Sequence, residues 1–441
     1  MYEQIYEYIK EEIRKGSLAA GTRLPSTRIL AEHLKISRST SQMAYDQLVS
    51  EGYIETIPCK GYFVLKIDEL VEVEPETKMG CLVEPEQQEA ELDVDFSPRG
   101  IDLTSFPYNA WRKVTRATLM DDDKEMFLTG SPQGEPGLRE AIRGYLHSAR
   151  GVNCTADQII IGAGSEYLMM LLTQILGTSR TIAMENPTYR QAYRVFESLG
   201  CQMKPVEMDA HGMNVRLLEE SGADIAYVMP SHQYPMGVVM PVKRRQELLS
   251  WAGRGEKRYL IEDDYDSEFR YRGKPVPALQ GMDIQGKVIY MGTFSKSIAP
   301  AIRVGYLVLP APLLAVYKRK CGFYASTVSR IDQKIIYQFL AEGHYERHLN
   351  RMRAIYKGKH DVLMSELKTL GTEFIVQGEY AGLHVLLKYR KAGMETWLVE
   401  EAAKARVGVY GISGFLIAPL ADQKEKCFST VVLGYARLNE D

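Results

Sequence analysis

Residues 258–265 read RYLIEDDY and residues 287–306 read KVIYMGTFSKSIAPAIRVGY. Each stretch opens on a short run of branched and aromatic residues, the length of one buried strand, and ends in polar groups. Lys296 therefore follows the carboxyl end of one strand, with Thr293, Ser295 and Arg303 nearby, while Asp263 stands at the end of the other, 33 residues earlier. Ligands of open α/β sheets sit beyond the carboxyl ends of the strands, and one βαβ step brings these two ends together. Working outward, QIIIG (158–162), TIAME (181–185) and IAYVM (225–229) are further strand-like runs separated by helical stretches. The pattern predicts a mainly parallel, helix-covered sheet over about 345 residues.

An amine and a carboxylate meeting at two strand ends have a specific use. A lysine forms a Schiff base, and a carboxylate opposite it keeps a pyridine nitrogen protonated and electron-withdrawing, so the pair fits pyridoxal 5'-phosphate. Tyr265, two residues beyond Asp263 in the same extended segment, can offer its hydroxyl to the ring oxygen. Thr293, Ser295 and Arg303 are donors for a phosphate. Gly162-Ala163-Gly164-Ser165-Glu166 joins a strand to the helix EYLMMLLTQIL, which aims backbone N–H groups at an anion. A dinucleotide fingerprint fits less well there, since Tyr167 stands where its third glycine belongs. Tyr189, in Asn186-Pro187-Thr188-Tyr189, can lay a ring over the cofactor, although a tyrosine after a strand is more often simple core.

The first 65 residues follow another pattern. Ile5, Ile9 and Ile13 recur at helical spacing, STRILAEHL (26–34) is short and amphipathic, and SRSTSQMAYDQLVSE (37–51) puts Ala44 and Leu48 one turn apart. Ser26 and Ser37 are the expected N-caps, and only Lys35 and Ile36 separate the second and third helices, a helix-turn-helix spacing. YIETI and YFVLK flank Pro58-Cys59-Lys60-Gly61 as a hairpin wing. A reading helix needs polar and cationic side chains at its start and apolar ones behind. Arg38, Ser39, Thr40 and Gln42 meet the first need, and Met43, Ala44, Tyr45 and Leu48 the second. Residues 21–40 hold Arg23, Arg28, Lys35 and Arg38 against Glu32 alone, which suits phosphates. A solvated basic face on a small helical module is the plainer alternative.

Composition frames both parts. The 441 residues are 45% hydrophobic and 25% charged with a formal charge of −3, ordinary for a folded chain. Between them, residues 66–93 carry ten acids, two lysines and two prolines without an apolar period, so 67–94 is expected to be a linker between domains at 1–66 and 95–441. The longest apolar run, Tyr167 to Leu176, is too short for a membrane span, and the charged N-terminus lacks the features of a secretory signal, so a cytoplasmic protein is expected. Six scattered cysteines form no C-x-x-C pair, and no histidine cluster has metal spacing; reduced thiols and no metal are expected.

The words GTRLPSTRILAEHLKISRSTSQMAYDQLVSEGYIE and GYFV resemble the winged helix-turn-helix of the GntR family across residues 2–65. That resemblance implies a double-stranded DNA operator as partner, contacted by Arg28, Ser37, Arg38, Ser39, Thr40, Lys60 and Gly61. Residues 95–441 resemble the fold type I aminotransferases, and in ENPTY, PSHQYPMG, EDDYDSEF and GTFSK-x-x-x-P-x-x-R they resemble the effector domain of the MocR-type regulators, which are GntR-type winged helices fused to an aminotransferase-like body. By resemblance, Lys296 holds pyridoxal phosphate as an internal aldimine, Asp263 binds the ring nitrogen, Tyr265 the phenolic oxygen, and Tyr189 stacks. Ala163, Gly164, Ser165, Thr293, Ser295 and Arg303 hold the phosphate, and His232, Gln233 and Tyr234 line the pocket near the ring. A head-to-tail homodimer is implied as well.

Two positions depart from the aminotransferase pattern. VVLGYA puts Val432 where the enzymes carry the arginine that grips a substrate carboxylate, and Thr129 in TGSPQG replaces a tyrosine that reaches a neighbouring subunit's phosphate. Arg437 is a nearby candidate to replace the clamp. The expectation is a transcription regulator that senses an amine, an amino-acid-like effector or pyridoxal phosphate itself. The alternative is a working aminotransferase carrying a DNA-binding module; a regulator that has lost its cofactor fits less well, because Asp263, Lys296 and Arg303 are all present.

Overall fold

The computed structural model describes residues 1–66, 92–120, 124–271 and 276–439, and the chain divides into two compact units, Met1–Gln88 and Glu89–Asp441. Most of the expected linker, 67–91, lies outside the described residues. Its last residues belong to the body: the Asp93 amide bonds to the Arg406 carbonyl at 2.9 Å, and strand Val94–Asp95 pairs in parallel with Val407–Gly408. Among the described residues, bonding to the body thus starts at Asp93, two residues before the expected boundary at 95.

In the first unit, helices Tyr2–Arg14, Thr27–Leu34 and Arg38–Ser50 are followed by strands Ile54–Ile57 and Gly61–Val64, an antiparallel pair. Both predicted caps are present, with Ser26 Oγ accepting from Ile29 N–H and Ser37 Oγ from Thr40 N–H. Tyr6, Ile9 and Ile13 pack on Ala44, Tyr45, Leu48, Ile54 and Val64, so the helices and the wing share one core. The Ser41 hydroxyl bonds to the Thr27 carbonyl at 2.8 Å and the Tyr45 hydroxyl to the Pro25 carbonyl at 3.0 Å, tying the third helix to the start of the second. Met43 corrects the sequence reading: it is 53% exposed and lies outside the core.

The body is built on an eight-stranded sheet. Its order is Ile159–Gly162, Gly305–Val308, Val288–Thr293, Tyr259–Asp264, Ile225–Val228, Thr181–Asn186, Gln202–Asp209 and Gly212–Met213. All five predicted strands are present, and the sheet is mainly parallel except at Gly305–Val308 and the terminal Gly212–Met213. Side chains alternate across a strand. Ile159 and Ile161 therefore face a core with helices Pro136–Arg150, Arg330–Ala341 and His344–Leu367, whereas Ile160 faces the core of helices Gly164–Leu176, Arg190–Ser198 and Ala311–Lys320. Burying each leucine or isoleucine is worth roughly 1.5–3 kcal/mol, and burial on both faces explains why these strands read as unbroken apolar runs.

Strands Tyr259–Asp264 and Val288–Thr293 are parallel neighbours, with Asp263 opposite Met291. The 3-10 turn Gln280–Met282 is the only helical element among the described residues of their connection, where a longer crossover helix is usual. A second, antiparallel sheet runs Phe374–Gln377, His384–Tyr389, Thr430–Gly434 and Tyr410–Gly411.

Candidate functional site

The strand ends of the large sheet open into a cleft of about 220 Å³ lined by Lys296, Asp263, Tyr265, Tyr189, Tyr234, Thr293, Ser295, Ser165 and Arg303, with Pro98, Arg99, Glu166, Met229 and Pro300. The amine and the carboxylate picked from the two quoted stretches therefore meet in one cavity.

Pleating decides which acids face this cleft. In EDDYD, Asp263 and Tyr265 line the cleft, while Asp264 is engaged elsewhere in a buried ion pair with Arg150 at 2.8 Å, joined by the Tyr290 hydroxyl. The Arg150 guanidinium also donates to Ser231 Oγ at 2.6 Å. Asp263 accepts from the Tyr227 hydroxyl on the neighbouring strand. Burial pushes its carboxyl up to about 7, with the tyrosine bond opposing the shift. A cationic N–H next to that oxygen would restore the charged form, which suits a pyridinium nitrogen.

Lys296 Nζ donates to the backbone carbonyls of Arg99 at 2.8 Å and Pro98 at 3.2 Å. Burial holds this amine down at about 8, against a pull upward from Asp266 and a further push down from Arg99. A neutral amine is the nucleophilic form needed to attack an aldehyde. The Tyr265 hydroxyl is fixed by His232 Nδ1 at 3.0 Å, which also meets Asp266 Oδ2 at 2.9 Å, and the two rings stack with centroids 6.1 Å apart. Tyr189 and Tyr234 pack edge to face at 5.9 Å, forming an aromatic wall.

At the other end of the cleft are the phosphate donors. Thr293 Oγ1 and Ser295 Oγ lie 2.9 Å apart, and the Ser295 amide bonds to Thr293 Oγ1 at 3.1 Å. Arg303 sits in the left-handed region, at φ 52°, and reaches Glu166 Oε2 at 2.5 Å. Gly164, at φ +87°, underlies this guanidinium: a Cβ there would fall 2.4 Å from Arg303 Nη2. Only glycine permits that approach at that backbone angle. A helix start, two hydroxyls and an arginine form a donor set that fits a phosphate, so the residues present fit the cofactor at both ends.

Several expected residues lie elsewhere. The Ala163 amide donates to Thr327 Oγ1 at 3.1 Å instead of facing the cleft, and Gly164 is buried beneath it. His232 does not line the cleft; it supports Tyr265 from behind. Gln233 is buried and bonds to the Pro187 carbonyl at 3.0 Å, so it is structural. Val432 is fully buried against Leu386 and Ile412. Arg437 lies 3.9 Å from Asp95, does not line the cleft, and supplies no clamp there. Tyr227, the pairing of Glu166 with Arg303 and the carbonyls of Pro98 and Arg99 escaped the sequence reading. Tyr227 reads as core, and backbone carbonyls leave no side-chain signal.

On the head, Ser37, Arg38, Ser39, Arg28 and Lys60 are exposed, Thr40 is half-buried, and Gly61 closes the wing turn at φ +110°. Ser37 Oγ lies 2.8 Å from Ser39 Oγ and 2.7 Å from Thr40 Oγ1, and Arg28 pairs with Glu32 at 3.1 Å. Gln42 bonds Asp46 at 2.7 Å and the wing's Tyr62 hydroxyl at 3.1 Å, so it ties helix to wing.

Comparison with known proteins agrees with both units. Residues 102–419 match the family model for aminotransferase class I and II, and residues 1–64 that for bacterial regulatory proteins of the gntR family. The chain is 38% identical to the HTH-type transcriptional regulator YdeL of Bacillus subtilis, covering all of this chain and 94% of that one. It is 31% identical to the pyridoxine biosynthesis transcriptional regulator PdxR of Corynebacterium glutamicum, covering 99% and 92%. It is 30% identical to the probable rhizopine catabolism regulatory protein MocR of Rhizobium meliloti, covering 100% and 90%. Among solved structures, a multiple substrate aminotransferase from Thermococcus profundus shares the fold of the body, with a TM-score of 0.69 and 23% identity over 80% of this chain and 88% of that one. The aminotransferase match implies pyridoxal 5'-phosphate as cofactor, and the gntR match implies operator DNA as partner. No helix among the described residues is long and apolar enough to cross a membrane. The chain belongs to the GntR-type transcription regulators of the MocR kind, in which a helix-turn-helix head is joined to a body of the aminotransferase class I and II family.

Proposed function

We propose that this chain is a cytoplasmic, homodimeric regulator that holds pyridoxal phosphate at Lys296 and reports its state, or the arrival of an amine, through the DNA affinity of its head. Lys296, Asp263, Tyr265, Tyr189, Thr293, Ser295 and Arg303 hold the cofactor, with Ser165 at the phosphate end and Tyr234 in the wall. Arg28, Ser37, Arg38, Ser39, Thr40, Lys60 and Gly61 contact the operator. The cofactor supplies an aldehyde that traps amines. Lys296 offers the amine that it binds, Asp263 holds the proton at the ring nitrogen, and the aromatic wall excludes water from one side.

One observation carries the choice of sensing over turnover. Val432 is fully buried in apolar packing where a transaminating enzyme grips its substrate carboxylate, and Arg437 is engaged away from the cleft. Catalysis needs the substrate held with its breaking bond aligned to the ring, whereas sensing needs only a difference in affinity between two states. The similarity to a regulator of pyridoxine biosynthesis supports the version in which the cofactor itself is a signal.

The test begins with DNA selected from a random pool by the full-length protein. Its affinity for the cofactor-stripped and cofactor-loaded protein is then compared by fluorescence anisotropy, with and without added amines. A several-fold change on loading or on amine addition is expected. Equal affinities in every state, together with repeated release of keto acid from an amino donor, would replace this reading with the enzymatic one.

A further inference from the structure

The phosphate end of the cleft contains an acid. Glu166 lines it beside Ser165, Thr293, Ser295 and Arg303, and its carboxylate engages donors of the kind a phosphate takes. Glu166 Oε2 accepts from Arg303 Nη2 at 2.5 Å and from Ser165 Oγ at 3.4 Å, and the carboxylate also meets Glu166's own backbone N–H in the first turn of helix Gly164–Leu176. Burial alone would raise this carboxyl, but Arg303 and that amide more than offset it and hold the group below the usual carboxylate range, so it is an anion near neutral pH. An acid in the first turn also suits the helix dipole, but the dipole does not call for a guanidinium partner lining the same cleft.

One donor set cannot serve two anions in full. A phosphate bound at this end brings its negative charge close to the Glu166 carboxylate, and the two repel. It also needs Arg303 and Ser165, which the carboxylate uses. Exchange between the two is feasible, because the Glu166 and Arg303 side chains are 34% and 50% exposed and ion pairs this open to solvent contribute little. The acid therefore opposes the phosphate without blocking it.

Resting on the reading that Lys296 holds the cofactor, we propose that Glu166 sets how loosely the phosphate is gripped: it competes with the phosphate for Arg303 and Ser165 and so keeps the cofactor exchangeable. A chain that reports the supply of a ligand has to release it when supply falls, and its occupancy changes most where the dissociation constant lies near the prevailing concentration. Pyridoxal, the same aldehyde without a phosphate, stands outside this competition, so Glu166 also narrows the preference for the phosphorylated form.

The test uses the full-length protein stripped of cofactor. Pyridoxal phosphate and pyridoxal are titrated separately into the unchanged protein, E166Q and E166A, and binding is read from the Schiff-base absorbance. Both variants are expected to bind pyridoxal phosphate about tenfold more tightly than the unchanged protein, the worth of one charge-assisted hydrogen bond, and to release it correspondingly more slowly on dilution. Pyridoxal binding should stay the same, which a general effect on folding would not produce, and E166A gives the answer should E166Q fold poorly. Unchanged affinity for pyridoxal phosphate, a weaker hold on it in both variants, which would make Glu166 a support for Arg303, or an equal gain for both aldehydes would overturn the proposal. The absence of a Schiff-base band with either aldehyde in the unchanged protein would instead overturn the reading of Lys296, and the proposal with it.

Discussion

On the head, Ser37, Ser39 and Thr40 bond to one another within a single turn, and Arg28 is held by Glu32 on its own helix. In the cleft, support comes from far along the chain: Asp263 by Tyr227, Tyr265 by His232, and Lys296 by carbonyls 197 and 198 residues away. The proposed reading face thus consists mostly of exposed side chains on locally determined elements, and it can be altered without disturbing what lies beneath. At the ring end of the cleft, Asp263 and its partner Tyr227 are buried, as are His232 and Asp266 behind Tyr265, so a change there spreads. A surface that must meet a separate molecule gains from local independence, and a pocket that must hold a proton and an amine in fixed places gains from long-range support.

The largest effect that would test this contrast concerns the pair beneath the cleft. Arg150 and Asp264 are both nearly fully buried, and removing one partner leaves an uncompensated charge. R150M should therefore lower stability by about 3–5 kcal/mol, read from the denaturation midpoint of the full-length protein. A loss below about 1 kcal/mol would show that the cleft floor is less dependent on this network than its geometry implies.

R38A is the matching change on the head. Stability should stay within about 0.5 kcal/mol, as for exposed residues without buried partners, while affinity for selected DNA falls by about 1–3 kcal/mol and affinity for random DNA falls less. Equal losses on both DNAs would assign Arg38 to phosphate contact alone.

A smaller effect sharpens the cleft side through pH. Burial holds the folded Lys296 amine at about 8 against an ordinary 10.5, so its neutral fraction grows about tenfold per unit of pH up to 8 and then levels. The rate at which stripped protein captures pyridoxal phosphate should follow that curve in stopped-flow absorbance; a rate still climbing steeply to pH 10 would mean an unperturbed lysine. The sign for stability follows from the same shift. Between pH 8 and 10.5 the unfolded chain binds more protons here than the folded one, so this group's contribution becomes more favourable as pH rises across that window.

The same contrast governs how much was readable in advance. The head was legible almost throughout, because caps, helical spacing and the wing turn are local signals; Met43 misled because an apolar residue in a short amphipathic helix can face solvent. The five strands were legible from apolar runs, and the meeting of Asp263 with Lys296 followed from their strands being parallel neighbours. The antiparallel strand Gly305–Val308 was not, because nothing local marks strand direction. Nor were Tyr227 or the carbonyls of Pro98 and Arg99, which gain their roles only once distant segments are brought together. His232 was placed in the right neighbourhood but one layer too far forward, since proximity in sequence to Tyr234 says nothing about which side of Tyr265 its ring occupies.

The central claim is that one lysine and one aspartate clasp a pyridoxal ring in a chain that also reads DNA. The visible absorption spectrum of the purified full-length protein, compared with that of K296A, tests it most directly. A Schiff-base band present in the first and absent in the second is the predicted result. A wild-type protein that shows no such band after incubation with pyridoxal phosphate, or a band that survives K296A unchanged, would contradict it.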